Sequence, residues 1–157
     1  MDVLITTDEP KTITLPKREC GDCTVCCDGT LKITVYGHDV HASKPCFFMK
    51  QGGCSIYENR PQVCKEYHCE WVSGTYLPEW MKPSLSKVLI TRRIIDNVEF
   101  YELLEAGQTL NIYVFNWILQ WALSKEKNIL YTINGMCNGV GSQEFLNVME
   151  KIDKARQ

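Results

Sequence analysis

Long apolar runs, blocks of like charge and glycine-rich phosphate loops are all missing from this 157-residue chain. The most apolar segment, Ile112 to Leu123, is interrupted by Asn116 and Gln120. It falls well short of the ~20 residues that cross a bilayer, so no membrane partner is expected. Basic residues form no stripe: 17 Lys and Arg stand against 19 Asp and Glu, for a formal charge of -2. That balance argues against nucleic acid as a partner. The opening stretch, Met1 to Pro10, has no basic n-region, no apolar h-region and no small-residue cleavage site, so a reducing, cytoplasmic setting is expected. There is no internal repeat, no low-complexity tract and no Rossmann-type glycine loop after a strand. What remains is ordinary globular composition, 45% hydrophobic and 23% charged, in a length suited to one domain or to a small module joined to a compact partner.

Cysteine is what the chain has in excess. Of the 9, eight fall between positions 20 and 69, at Cys20, Cys23, Cys26, Cys27, Cys46, Cys54, Cys64 and Cys69, and one stands apart at Cys137. Thiols so closely spaced are disulfide staples, buried small hydrophobes or metal ligands. Interleaving with Gly and Asp is not a core pattern, and a reducing compartment disfavours disulfides, so metal is the leading reading.

The cysteine-bearing segment, residues 1–70, is expected to be irregular. Gly21, Gly29, Gly37, Gly52 and Gly53 recur with Pro45 and Pro61, leaving one candidate strand at Leu31 to Tyr36. So loop-rich a segment buries little apolar area and calls for a metal staple. Residues 71–157 read as a small α+β body of order β-β-α-β-α, packed with the first part as one domain. Strands are expected at Lys87–Ile95 and Val98–Leu104 around an Asp96-Asn97 turn, although Glu102 would share a face with Val98, Phe100 and Leu104. A helix at Leu110–Lys125 is expected to be largely buried, because Ile112, Phe115, Leu119 and Leu123 extend its apolar face, with Asn128 as the stop. A strand at Ile129–Ile133 ended by Asn134-Gly135, and a helix at Gln143–Ile152 capped by Ser142, complete the body.

The chemistry sits in Cys20-Gly21-Asp22-Cys23-Thr24-Val25-Cys26-Cys27. A Cys-x2-Cys step lets two thiolates converge on one ion across a tight turn, in zinc and iron–sulfur loops alike. Cys20, Cys23 and Cys26 share the spacing of a ferredoxin run, but no Cys-Pro follows. Adjacent Cys26 and Cys27 point to different sides in most backbone conformations, which favours two nearby metal centres or one polynuclear centre. Cys46, Cys54, Cys64 and Cys69 supply the remaining ligands, with room for about one helical turn between Cys54 and Cys64 and another before Cys69. Two closed all-cysteine zinc sites would add four negative charges and take the chain to about -6, further from any polyanion.

The order Cys20-x2-Cys23-x2-Cys26-Cys27, then Pro45-Cys46-Phe47-Phe48, Gly53-Cys54-Ser55-Ile56-Tyr57-Glu58-Asn59-Arg60-Pro61 and Cys64-x4-Cys69 resembles the CxxCxxCC family of zinc- or iron-chelating domains, the YkgJ-like cysteine-cluster proteins. Beyond Cys69 only Lys82 to Val88 is similar to a weaker family segment. The resemblance implies eight cysteines holding zinc or iron, under a family label of iron–sulfur oxidoreductase. A related block occurs in flagellin lysine methylases, which are much longer than this chain. The expectation is a chelating, structural or carrier protein with about two zinc ions and an unidentified protein partner. The alternative is an iron–sulfur protein, with a 4Fe-4S cluster on Cys20, Cys23, Cys26 and one distant cysteine. If the chain is an enzyme, it is an iron–sulfur-dependent oxidoreductase.

Five further residues bear on the ligand set. His68 adjoins Cys69 and reads as a hydrogen-bond donor to a metal ligand or as an exposed residue sooner than as a ligand itself. His38 and His41 flank a turn and read as surface residues. Cys137 reads as a free thiol. Arg60 is either a surface residue or a partner for the thiolates. Trp71, Trp80, Trp117 and Trp121 read as core or as cover over the metal loops. A Cys20/Cys23 thiol–disulfide oxidoreductase is disfavoured, because no thioredoxin-like strand precedes that motif.

Overall fold

The computed structural model describes residues 17–74 and 76–156. Met1 to Pro10, on which the reading against secretion rests, and the rest of residues 1–16 lie outside the described residues.

Tight turns cut the cysteine-bearing segment into short pieces. Strands β1 (Ile33–Val35) and β2 (His38–Val40) pair across Tyr36 and Gly37, both at positive φ, the geometry of a two-residue hairpin. A second minimal hairpin joins β3 (Met49–Lys50) to β4 (Gly53–Cys54). Among its described residues the segment therefore holds four short strands where alternation alone suggests one, since strands of two or three residues are too short to show a period. A 3₁₀ turn at Tyr57–Asn59 fills the room expected between Cys54 and Cys64, and helix α1 (Gln62–Glu66) carries Cys64 and runs into the gap before Cys69; helix α2 (Glu70–Ser73) follows Cys69, outside both expected turns. A further short helix, α3 (Pro83–Ser86), leads into the body.

The body is α+β, with a mixed four-stranded sheet. Strands β5 (Val88–Ile95) and β6 (Val98–Glu105) pair antiparallel around Asp96 and Asn97, both at positive φ. Helix α4 (Ile112–Ser124) crosses to β7 (Ile129–Ile133), which lies parallel to β6. The chain then turns at Asn134-Gly135 into a strand that pattern reading did not find, β8 (Met136–Val140), before helix α5 (Gln143–Ala155). From β5 onward the order is thus β-β-α-β-β-α, a correction to the expected β-β-α-β-α. Asn138 and Gly139 are poor strand formers, which hides β8 in the sequence. Gly139 is there because a Cβ would collide with Met149 and Phe145 of α5.

Alternation assigns the two faces of the sheet. Val88, Ile90, Tyr101 and Leu103 pack with Ile118 and Ala122 of α4 and with Trp71, Leu77 and Met81. Phe100 and Leu130 meet Phe145, Val148 and Ile152 of α5, whose capping Ser142 accepts a hydrogen bond from the Phe145 N–H as expected. Glu102 faces the α5 side, buried, with one carboxylate oxygen accepting from Arg93 (2.7 Å) and the other from Arg156 of α5 (2.6 Å). Paired charge is how a carboxylate occupies an otherwise apolar strand face. The expectation that α4 is largely buried does not hold, since only Ile118 and Ala122 are buried while Ile112, Tyr113 and Leu123 stand exposed. Its start is also two residues late, at Ile112, after the capping Asn111, whose side chain accepts from the Tyr113 N–H. Asn128 lies beyond its end and instead ties two loops, donating to the Glu99 carbonyl and accepting from the Ser142 N–H.

Candidate metal centre

Glycine geometry fixes the first cysteine loop. Gly21 at φ 56° closes the turn in which the Cys23 N–H donates to the Cys20 carbonyl (2.9 Å). Asp28 then turns the chain, its Oδ1 accepting from both the N–H and the hydroxyl of Thr30. Gly29, at φ 107°, lets the backbone approach the His41 carbonyl so closely that a Cβ would overlap it. That contact lays the first loop beside the next cysteine, and the Cys46 N–H donates to the Cys27 carbonyl at 2.7 Å.

The β3–β4 hairpin turns the chain back so that Cys54 stands opposite Met49, whose N–H bonds the Cys46 carbonyl. Cys64 rides on α1, and Cys27, Cys46 and Cys64 share an apolar cluster with Val35 and Val40. Cys69 caps α2, and with Cys23 it flanks a different cluster, made by Val25, Leu89 and Ala106.

Three polar anchors tie these loops to the body. Arg18 donates to the carbonyls of Trp71, Gly74 and Leu77 and to Glu79 while stacking over the Trp71 ring. Lys82 meets Asp22, inside the Cys20–Cys23 loop, at 2.7 Å. The Tyr67 hydroxyl shares a 2.8 Å hydrogen bond with Thr91 on β5. None of these pairings is legible in the sequence, although Asp22 and Lys82 each sit in a stretch that the motif reading singled out.

The outcome is one cavity of about 380 Å3 lined by all eight clustered cysteines. Apolar side chains such as Leu31, Ile33, Phe48 and Leu89 form much of its wall, with Arg60, His68 and Trp71 among the polar members. His38 and His41 lie elsewhere: the His38 ring stacks on Phe47 at 4.7 Å, and His41 Nδ1 bonds the Ser43 hydroxyl. Cys137 sits on β8, at the opposite sheet edge from β5, with its sulfur 3.6 Å from Arg156. No disulfide joins any of the nine cysteines. Among the described residues no three Cys, His, Asp or Glu side chains converge at metal-holding distance, although all eight cysteines line the one cavity. Cys26 and Cys27 are close, with sulfurs 3.9 Å apart, a correction to the expectation that neighbours on the chain point apart.

Burial raises the thiols of Cys20, Cys64 and Cys69, so these groups hold their protons at neutral pH. The adjacent pair behaves differently. Cys26 is pushed up by its contact with Cys27 and then by burial, whereas the same contact lowers Cys27 to about 7, with Arg60 acting in the same direction. Arg60 stacks over Tyr57 at 3.9 Å and favours the thiolate at Cys20, Cys27 and Cys64. Its Nε also donates to the Tyr57 carbonyl (2.9 Å), and the residue lines the same cavity as the eight cysteines.

The chain matches no protein-family model, no characterised protein and no solved structure.

Proposed function

We propose that this protein binds metal through Cys20, Cys23, Cys26, Cys27, Cys46, Cys54, Cys64 and Cys69, in a chelating, structural or carrier role of the kind its resemblance to the CxxCxxCC proteins implies. One observation carries the reading: chain segments up to fifty residues apart deliver every one of these thiols to one cavity. Nothing in apolar packing requires eight sulfurs on a common wall, whereas soft-metal coordination does.

The donor set suits the ion. Thiolates are the ligands of structural zinc and of iron–sulfur clusters, and an apolar wall with a guanidinium beside it suits a centre of net negative charge. The buried indole N–H of Trp71, which lines the cavity, has no acceptor among the described residues, and a metal-held thiolate is one. Zinc, about two ions, is preferred over a cluster because the ferredoxin-like run lacks its Cys-Pro. With every position filled by protein sulfur, such sites are structural and leave no coordination position for substrate. A soluble chain in a reducing compartment, free of nucleic acid and membrane, completes the proposal.

Metal and acid-labile sulfide content of anaerobically purified protein tests it. About two zinc per chain without sulfide supports closed thiolate sites, and iron with matching sulfide moves the assignment to an iron–sulfur protein. Protein that carries neither, and takes up neither on reconstitution, ends the metal reading.

A further inference from the structure

Resting on that metal-binding reading, we propose that the eight thiols form two four-sulfur sites, Cys20, Cys23, Cys26 and Cys69 in one and Cys27, Cys46, Cys54 and Cys64 in the other, which abut at the Cys26–Cys27 pair. Sequence order does not give this grouping. It takes Cys69, the last of the eight, back to the first loop, and separates two adjacent residues.

The fold carries the assignment on both sides. In the first set, Cys20 and Cys23 are joined by the 2.9 Å turn hydrogen bond, and Cys23 and Cys69 pack on the same cluster against Leu89 of β5. Arg18 pins the chain just before Cys20 to the carbonyls of Trp71 and Gly74, directly after Cys69, so the two ends of this set are tied by the backbone around them. Cys26 lies three residues beyond Cys23 in the same first loop.

In the second set, Cys46 is bonded through its N–H to the Cys27 carbonyl, Cys64 joins both in the Val35–Val40 cluster, and the β3–β4 hairpin returns Cys54 to Cys46. The sets touch where Cys26 and Cys27 lie 3.9 Å apart, and Arg60 lines the same cavity.

The test is to load the full, metal-free chain with 113Cd and to correlate each cadmium resonance with the cysteine Hβ protons to which it is coupled. Two resonances in the all-thiolate region are expected, each coupled to the four cysteines of one set. Cys69→Ser is expected to lose the first resonance and keep the second; Cys54→Ser does the reverse. A cysteine coupled to both ions, or any exchange of members between sets, overturns the division while leaving metal binding intact. Absence of any cadmium–thiolate resonance overturns both. Because the assignment is read on the wild-type chain, a variant that fails to fold does not rescue it.

Discussion

The guanidinium of Arg18 lies 4.6 Å over the ring of Trp71 while its N–H groups donate to the carbonyls of Trp71, Gly74 and Leu77 at 2.6 to 3.2 Å. One side chain thus satisfies the frayed end of α2 and anchors the chain two residues before the first cysteine. Arg18→Ala leaves those carbonyls without their charged donor and is expected to lower stability by about 2 to 3 kcal/mol. Arg18→Lys restores only part of it, because a single ammonium cannot span four acceptors. Urea unfolding of the three proteins measures this, and a loss under about 0.5 kcal/mol for the alanine variant would show that the fan of hydrogen bonds does not hold the loop.

Gly29 presents a sharper steric case. Its positive φ and the His41 carbonyl leave no room for a methyl group, so Gly29→Ala combines backbone strain with a collision against backbone. A loss of about 2 kcal/mol or more is expected, together with displacement of Cys27 from Cys46. Gly37→Ala serves as the comparison, being at positive φ but with open space around it, and is expected to cost about 1 kcal/mol. Equal losses at the two positions would remove the steric argument.

Cys27 differs from its neighbours in acidity. With its value lowered to about 7 by the Cys26 thiol, its thiolate fraction in the metal-free protein climbs between pH 6 and pH 8 and then levels off. Ordinary thiols, near 8.5, continue to gain reactivity beyond that. Because the folded value lies below the unfolded one, the linked stability is present above the ordinary thiol value and is lost as pH falls through about 7. Timed alkylation with peptide mapping should find Cys27 modified ahead of Cys69 at pH 7; the reverse order would contradict the Cys26–Cys27 hydrogen bond.

The buried Glu102 gives an asymmetric prediction. Removing both Arg93 and Arg156 strands a buried carboxylate and is expected to cost about 3 kcal/mol or more. Glu102→Leu instead leaves two arginines that are each more than a third exposed and can turn to water, at a cost of about 1 kcal/mol or less. Thermal denaturation of the double arginine variant beside Glu102→Leu compares the two directly. A larger loss for the leucine variant would mean that the ion pairs contribute net stability.

Cys137 provides the control for ligand assignment. It belongs to the Phe100–Phe145 cluster at the far edge of the sheet, so Cys137→Ser should leave metal stoichiometry unchanged. Cys23→Ala and Cys64→Ala are each expected to lower it and to loosen the first half. Full metal content in both alanine variants, measured by elemental analysis, refutes the ligand set.

Local chemistry was legible from the chain alone. Cysteine spacing marked the eight thiols that come to line one cavity, Asp96-Asn97 marked the hairpin, and Ser142 marked the start of α5, because each rests on neighbours within a few residues. Tertiary structure decided the rest. Whether Cys26 and Cys27 converge, which cysteines share a cluster, how Glu102 survives on a buried face, and that Asn134-Gly135 opens a strand on its far side all depend on groups brought together by loop closure and strand register. The exposed face of α4 belongs here too: periodicity shows that a face is apolar, and only the packed sheet shows which faces it has room to cover.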